Sequence, residues 1–424
     1  MSAACPLVRH VGRTGEVASL RDCALVALAL LCLLSMWHFA IDIAPLALGS
    51  NSPSAQQGLL PEWTGCREVL LRHASPYTEE VTRRIQIAVY GAPAAPGVNQ
   101  QRFAYPVYVV VLFLPLTVMP FGAARICGVA GCLVMTALSA VLWPGMFSRG
   151  RLRGVAITIL IFSAYPVVLG LQLCQPTLLV AGLLALVIYG ARSGRMASAG
   201  MLAALCTAKP QLAVAVLLPL CLWALVGWRQ RRRFLSALAI SVAGLLLASE
   251  LAVPGWFSEW LGTVRAYSHY AGARPLLLDW LGPHLWAPVA GLLVIAVVWV
   301  SLRFANIDLL LVISFSIAVF QLLFPFLIYN EVLLLPAALW LADNCPPLED
   351  RGELPFLLWS CSWIVLGAGW TAALGLTLWD YVSPGSGVKL WPLPLLAAWL
   401  YPWTVFAALA ACVTAPATLS RSQP

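Results

Sequence analysis

The sequence predicts an all-α polytopic membrane protein, and three properties of the chain support this prediction. Of its 424 residues, 61% are hydrophobic and only 10% are charged, which is far outside the range of soluble proteins. Ten apolar runs have lengths near the roughly 20 residues that a membrane-crossing helix needs. The 18 tryptophans and 30 prolines suit interfacial anchors and the broken helices that line membrane cavities. We therefore expect a single integral membrane domain over residues 1–424.

The apolar runs define the predicted helices in chain order. The first run, at about 23–41, follows three arginines, and its length and the lack of a small-residue cleavage motif favour a retained helix over a signal peptide. The further runs lie at about 121–143, 154–172, 175–191, 234–253, 284–303, 306–324, 329–343, 355–379 and 393–414. Each of these runs predicts one helix.

Two regions do not fit a simple series of spans. The stretch 106–120 is apolar but has only fifteen residues and three prolines, which favours a re-entrant or juxtamembrane element. The stretch 196–227 is too long for one ordinary span and is interrupted by Lys209-Pro210. It predicts a helical hairpin whose tip reaches the outer face.

The charges select an orientation. With these two choices, twelve segments span the membrane, and both termini and the arginine-rich loops, such as those holding Arg149, Arg192 and Arg351, are cytoplasmic. The net charge of +8 then lies on the cytoplasmic side, and the outer side carries equal numbers of acids and bases. The basic excess is therefore an orientation signal, so no nucleic-acid partner is expected. The predicted location is the plasma (inner) membrane, with a chemically active extracytoplasmic face.

The long polar segment 43–105 is predicted to be the first outer loop, and 254–283 to be the second. Within the first, Ser75-Pro76-Tyr77-Thr78 indicates a turn into a helix that has Glu79 and Glu80 in its first turn.

Missing motifs exclude several classes of protein. The chain has no GxxxxGK[ST] phosphate loop, no HExxH zinc motif and no D-x-D pair. Its five histidines lack metal-ligand spacing, and its 12 cysteines include no CxxC and mostly lie in apolar runs as small core residues. We expect neither a metal nor a cofactor.

The polar residues at the ends of the predicted spans fall on the outer face. They are Arg102, Tyr105, Gln172, Gln175, Lys209, Gln211, Asn330 and Glu331. Polar groups at membrane depth tend to line functional cavities, so this set predicts an outward-facing site for a ligand with polar and lipid parts. Each also has a structural interpretation: hydrogen bonds between helices for the glutamines, snorkelling for Lys209, an interfacial anchor for Arg102 and a solvated turn for Glu331.

The order and spacing of short motifs resemble those of the membrane glycosyltransferases of family 87, relatives of the polyprenyl-phosphate-mannose-dependent mannosyltransferases of the GT-C class. The motifs are Trp63, Leu70-Leu71, Pro76-Tyr77, Tyr105-Pro106, Gly170 to Gln175, Lys209-Pro210, and Tyr329, Asn330, Leu333, Leu334 and Pro336. The resemblance covers about residues 20–345. It implies a GT-C-like bundle of about 10–13 transmembrane helices, with short juxtamembrane helices in the long first outer loop.

The resemblance also implies a reaction. The family's members transfer a hexose, here mannose-like, from a polyprenyl-phosphate sugar in the bilayer to a hydroxyl of a lipid or glycan acceptor, with inversion at the anomeric carbon. Such a reaction needs a carboxylate base and groups that stabilise the departing phosphate. Lys209 and Arg102 are the phosphate candidates, and Gln175 and Asn330 the candidates for sugar hydroxyls or phosphate oxygens.

The base departs from the family pattern. An aspartate is expected in the first outer loop just before the aromatic residue, but the stretch 57–63 contains none. Glu62 is the nearest carboxylate and the predicted base, with Asp42 and Glu68 in reserve.

Two other classes stay open. One is a flippase or transporter for a lipid-linked sugar or a small molecule, and the other is a catalytically inactive assembly subunit, which the missing aspartate favours. The absence of two related halves and the gathering of polar motifs on one face favour the enzyme.

Overall fold

The computed structural model describes residues 20–43, 58–96, 98–146, 151–270, 274–325, 327–344, 353–385 and 390–414. Within these ranges every regular element is helical, and the only β contact is an isolated bridge between Pro275 and Pro325. The predicted all-α fold is confirmed. The termini, residues 44–57 of the first outer loop, and the loop residues Arg149 and Arg351 lie outside the described residues.

The described residues form seventeen α-helices, numbered in chain order. They are α1 (Leu20–His38), α2 (Leu60–Arg72), α3 (Glu79–Tyr90), α4 (Val110–Thr117), α5 (Phe121–Gly145), α6 (Arg151–Ser163), α7 (Tyr165–Gln172), α8 (Pro176–Arg192), α9 (Met196–Cys206), α10 (Pro210–Val226), α11 (Trp228–Ala252), α12 (Trp256–Tyr270), α13 (Leu276–Phe304), α14 (Leu309–Leu323), α15 (Leu335–Asp343), α16 (Glu353–Val382) and α17 (Leu393–Thr414). A π-helical turn (Phe39–Ile43) follows α1, and 3₁₀ helices (Val107–Val109 and Ile328–Leu334) precede α4 and α15.

Six helices in the described part of the chain are long and apolar enough to cross a membrane. They are Cys23–Ile43, Phe121–Gly145, Trp228–Ala252, Leu276–Phe304, Glu353–Val382 and Leu393–Thr414. The bent pair α6 and α7, which meet at 57°, adds a seventh if it forms one span. The protein is therefore an integral, multi-pass membrane protein. Its predicted twelve crossings depend in addition on shorter apolar helices such as α8, α10 and α14, and the number stays a prediction.

The structure resolves both ambiguous regions in local terms. The stretch 106–120 forms the 3₁₀ turn Val107–Val109 and the eight-residue helix α4, which is too short to span alone. The run 196–227 is broken where predicted, because α9 ends at Cys206 and α10 begins at Pro210. Proline is tolerated in the first turn of a helix, so Lys209 becomes the residue that precedes α10. The placement of this break at the outer face stays a prediction.

The segment 43–105, the predicted first outer loop, contains two helices, α2 and α3, in its described part. The hydroxyl of Thr78 accepts a hydrogen bond from the backbone N–H of Val81 at 3.3 Å, which caps the start of α3. Glu79 and Glu80 occupy the first turn, where carboxylates stabilise the positive end of the helix dipole. This confirms the predicted turn into a helix.

Helix α2 lies so close to its neighbours that two glycines are required. A Cβ atom at Gly58 would lie 2.2 Å from the backbone oxygen of Leu173, and one at Gly65 would lie 2.2 Å from Cδ2 of Phe103. The Trp63 indole N–H, between the two glycines, donates a hydrogen bond to the carbonyl of Leu116 at 3.1 Å. These contacts fix the position of α2 against α4 and the turn before α8.

We expect Gly65→Ala to lower the thermal stability of the purified protein. The added methyl group would collide with the buried Phe103 ring, and overpacking of this kind typically costs about 1–3 kcal/mol. Gly122→Ala is the matched control, because a Cβ atom there would meet nothing within 4 Å. Thermal unfolding in detergent, followed by tryptophan fluorescence, measures both variants. Equal melting temperatures for the two would contradict the close approach.

Candidate active site

Glu62 lies in the first turn of α2, and its side chain is buried, with 4% of its surface exposed. The hydroxyl of Tyr105 donates a hydrogen bond to the carboxylate. The second carboxyl oxygen, Oε2, is buried and has no hydrogen-bond partner among the described residues. A buried carboxyl oxygen without a partner is uncommon, and such groups concentrate at functional sites.

Burial raises the pKa of Glu62 to about 7, since desolvation penalises its charged form. A backbone hydrogen bond within Glu62, the charge of Lys209 and the hydrogen bond from Tyr105 each act in the opposite direction and are smaller. A carboxyl group that titrates near neutral pH suits proton transfer, because a general base works best when its pKa lies near the working pH.

Lys209 is buried in the break between α9 and α10, with 4% of its surface exposed. Its Nζ donates a hydrogen bond to the hydroxyl of Thr177. The same atom lies 5.0 Å from the ring centre of Tyr329 and 6.0 Å from that of Tyr105, which are distances at which aromatic faces attract a cation. No carboxylate forms an ion pair with Lys209 in the described part of the chain, so its ammonium is held by a hydroxyl and aromatic rings.

A short chain of hydrogen bonds continues from Lys209 to the late polar motif. The Thr177 hydroxyl donates to Oδ1 of Asn330 at 3.1 Å, and the Gln321 amide donates to the backbone oxygen of Asn330 at 2.9 Å. The chain joins α10, α8 and the 3₁₀ helix before α15. Sequence reasoning missed Thr177, although its position two residues after Gln175 in the first turn of α8 was a usable signal.

The segment around Tyr105 connects the carboxylate to the ammonium. The backbone oxygen of Tyr105 accepts a hydrogen bond from the Tyr77 hydroxyl at 2.7 Å, and the preceding carbonyl accepts one from the Trp260 indole at 3.1 Å. The Tyr108 hydroxyl donates to the backbone oxygen of Thr207, at the break before α10, at 3.1 Å. Tyr77 of the segment 43–105, Trp260 of α12 and the break before α10 are thereby tied to one short stretch of backbone.

The structure places Asp42 in a separate ion-pair cluster. Its carboxylate lies 2.8 Å from Nδ1 of His38, and Nε2 of the same imidazole lies 3.3 Å from the carboxylate of Asp380. The cluster joins the π-helical turn after α1 to α16. Asp42 therefore has a structural partner that Glu62 lacks.

Glu68, the second reserve carboxylate, is buried but fully engaged. Its Oε1 accepts hydrogen bonds from the guanidinium groups of Arg72 at 2.9 Å and Arg84 at 2.8 Å. The Arg72 pair lies within α2, and the Arg84 pair joins α2 to α3. Two guanidinium groups already occupy this carboxyl oxygen, so Glu68 suits a structural role better than proton transfer.

Two predicted substrate-binding residues are occupied in structural contacts. Arg102 forms an ion pair with Glu79 at 2.7 Å, which ties the end of the segment 43–105 to α3. The side-chain amide of Gln172 donates a hydrogen bond to the carbonyl of Ala40 at 3.1 Å. The Gln172 contact matches the interpretation of a hydrogen bond between helices, whereas the Arg102 ion pair was not among the structural interpretations of its sequence position.

The remaining predicted residues lie around the cluster. Gln175 precedes α8 without capping it by its side chain, and its carbonyl accepts a hydrogen bond from the Cys132 thiol at 3.7 Å. Gln211 is half-buried in the first turn of α10. Glu331 is buried on the 3₁₀ helix next to Asn330, where it lines a separate apolar cavity.

The fold defines a multi-pass membrane protein in which a broken helix and a folded loop enclose a buried carboxylate and a buried ammonium. Glycosyltransferase family 87 matches residues 103–325, which is more than half of the chain, and the chain belongs to this family. The protein is therefore a glycosyltransferase by class. Comparisons with curated proteins and with solved structures gave no match.

The matched segment contains part of the cluster. Tyr105, Gln175 and Lys209 lie inside it, whereas Glu62 and Asn330 lie outside. The family assignment predicted from the motifs is confirmed. The match itself does not include the carboxylate, so the case for Glu62 depends on its position beside Tyr105 and Lys209.

We expect the Glu62 carboxyl group to titrate near pH 7 in the purified protein. Infrared difference spectroscopy of the full-length protein against Glu62→Gln isolates the band of the protonated carboxyl group, which should disappear with a midpoint near pH 7. Lys209→Met should move this midpoint to higher pH, because the ammonium lowers the pKa of Glu62. A midpoint near the ordinary value of about 4.3 would show that the side chain is solvated.

Proposed function

We propose that this protein is a hexosyltransferase of the GT-C class that moves a mannose-like hexose from a polyprenyl-phosphate sugar to a hydroxyl of a lipid or glycan acceptor. One observation carries the proposal. Glu62, Tyr105 and Lys209 form a single buried cluster in which a carboxyl group with a pKa of about 7 lies near the amine of a buried lysine. Family membership supports sugar transfer, and the extensive apolar surface supports a lipid-linked donor.

The proposed reaction is a single displacement. The oxygen of the acceptor hydroxyl bonds to the anomeric carbon while Glu62 takes the proton of that hydroxyl. At the same time, the bond from the anomeric carbon to the phosphate oxygen breaks. The electron pair leaves with the polyprenyl phosphate, and the configuration inverts. Tyr105, which hydrogen-bonds the carboxylate, orients the base.

Lys209 is proposed to bind the phosphate group of the polyprenyl-phosphate donor. An ammonium in a site shielded from water stabilises developing negative charge more strongly than an exposed one. The Thr177 hydroxyl holds it in place, and Asn330 supports Thr177 in turn. Gln175 and Gln211 are proposed to bind sugar hydroxyls, because each lies within two residues of a member of this chain of hydrogen bonds.

The charges support the proposed location. We propose that the protein lies in the plasma (inner) membrane with its termini and its arginine-rich loops on the cytoplasmic side. In this orientation the cluster lies at the extracytoplasmic face. Segments 43–105 and 254–283 are then the outer loops. A polyprenyl-phosphate sugar held in the outer leaflet reaches this face without crossing the membrane again.

We expect Glu62→Gln to reduce sugar transfer by about 10²–10⁴-fold, the usual contribution of a general base. Glu80→Gln, a change of the same kind at an exposed position of the same loop, should retain wild-type rates. Transfer from a polyprenyl-phosphate mannose donor to a glycolipid acceptor, with purified protein, measures both. Glu62→Gln should still bind polyprenyl phosphate.

The pH dependence of the transfer rate tests whether Glu62 is the base. A base with a pKa of about 7 becomes protonated below that pH, so the wild-type rate should fall about tenfold per pH unit on the acid side. Full activity of Glu62→Gln with an unchanged acid limb would assign the base elsewhere. Lack of transfer by the wild type with every polyprenyl donor, combined with Lys209-dependent movement of the lipid across vesicles, would instead identify a carrier.

Lys209→Gln should weaken polyprenyl-phosphate binding by about tenfold or more, since a charge-assisted contact to phosphate is lost. Arg232→Gln is the control, because it removes an exposed cation at the start of α11. Calorimetry with a short-chain prenyl phosphate and the full-length protein in nanodiscs gives both dissociation constants. Equal affinities for the two variants would remove Lys209 from the phosphate site.

A further inference from the structure

An apolar cavity lies beside the 3₁₀ helix that carries Asn330. Its volume is about 300 Å³, at the lower end of the range for small-molecule sites of about 300–1,000 Å³. Residues of α1, α6, α7, α15, α16 and α17 surround it. Most are aliphatic or aromatic, among them Met36, Ile161, Leu366 and Trp370.

Two polar groups on the wall of this cavity lack partners. Glu331 has 8% of its surface exposed, and its Oε1 is buried without a hydrogen-bond partner among the described residues. The indole N–H of Trp363 is likewise buried and unpaired. Buried polar groups are nearly always paired, so two unpaired groups on one cavity indicate a ligand that supplies the missing partner.

The charges around the cavity exclude an anionic ligand. Among the described residues that line it, none is a lysine, an arginine or a histidine, so nothing there compensates a negative charge. An ionised Glu331 would repel a phosphate, and an unpaired carboxylate in apolar surroundings is strongly disfavoured. The neutral acid is the form that suits this environment, and it donates a hydrogen bond through its O–H.

We propose that this cavity binds the hydrocarbon chain of a neutral lipid, and that Glu331 donates a hydrogen bond to an uncharged oxygen on that chain. The oxygen belongs to an alcohol or an ester, the two common sources of such a group in a bilayer. The site is distinct from the Lys209 cluster, which suits an anion. The two sites share the 3₁₀ helix Ile328–Leu334. Asn330 of this helix contacts the Lys209 cluster through Thr177, and the next residue, Glu331, lines the cavity.

Photolabelling with a decanol that carries a diazirine tests the proposal on the full-length protein in nanodiscs. Label should appear on peptides of α15, α16 and α17 that line the cavity. Unlabelled 1-decanol or methyl decanoate should compete at least tenfold better than decane, and whichever is stronger identifies the alcohol or the ester as the preferred group. Decyl phosphate should not compete. Equal competition by decane, or the strongest competition by decyl phosphate, would overturn the proposal.

Variants separate recognition by Glu331 from simple apolar filling. Glu331→Leu should lower the affinity for decanol about tenfold, to that of decane, whereas Glu331→Gln keeps an N–H donor and should retain most of it. If Glu331→Leu labels like the wild type, Glu331 does not recognise the ligand.

Blocking variants test the cavity itself and do not depend on the buried carboxyl group. Ala338→Phe should fill the cavity and abolish labelling. Ala368→Phe, at an exposed position of α16, is the matched control and should label normally. Labelling that survives Ala338→Phe would place the ligand elsewhere. Because binding is read without sugar transfer, this result is independent of the proposed catalytic function.

Discussion

The candidate active site depends on one constraint, the burial of Glu62 and Lys209 in a chain that has few charges. Each side chain has 4% of its surface exposed, and a buried charge without a partner strongly destabilises the folded protein. The structure compensates them by local means. The helix break at Thr207–Lys209 places the ammonium against the Thr177 hydroxyl and two tyrosine rings, and Tyr105 hydrogen-bonds the carboxylate. Compensation is incomplete for Glu62, and this leaves its pKa near neutral.

The same constraint separates Glu62 from the two other candidate bases, Asp42 and Glu68. The Asp42 carboxylate contacts the His38 imidazole, and the Glu68 carboxylate contacts the guanidinium groups of Arg72 and Arg84. Glu62 has a hydroxyl and a more distant ammonium, and one of its oxygens has no partner. Glu331 is uncompensated in a different way, since it faces an apolar cavity without any cation. The two carboxyl groups therefore have different proposed ligands: an acceptor hydroxyl, whose proton is removed, for Glu62, and a neutral oxygen that accepts a hydrogen bond for Glu331.

Much of the fold was predictable because its signals are local. Apolar runs located α5, α8, α14 and α17 to within a few residues, and Thr78 followed by two glutamates located the start of α3. The site was predictable only in part. Glu62, Tyr105, Lys209 and Asn330 meet as the motifs suggested, but Arg102 pairs with Glu79 and Gln172 bonds a backbone carbonyl instead. Thr177 was missed: it follows Gln175 by two residues in the first turn of α8, but nothing in the local sequence indicates that Lys209 and Asn330 are its partners.

The sequence by itself determined that the protein is an α-helical membrane protein, where its helices begin and break, and that it resembles family 87. Hydropathy, proline and capping residues act over one or two helical turns, so they can be read directly. Only the tertiary structure decided which polar groups meet, because these contacts join distant residues; Thr177 and Asn330 are 153 positions apart. It likewise decided that Glu331 lines an apolar cavity formed by α1, α6, α7 and three late helices. A carboxylate's partners set its protonation, and packing alone supplies those partners.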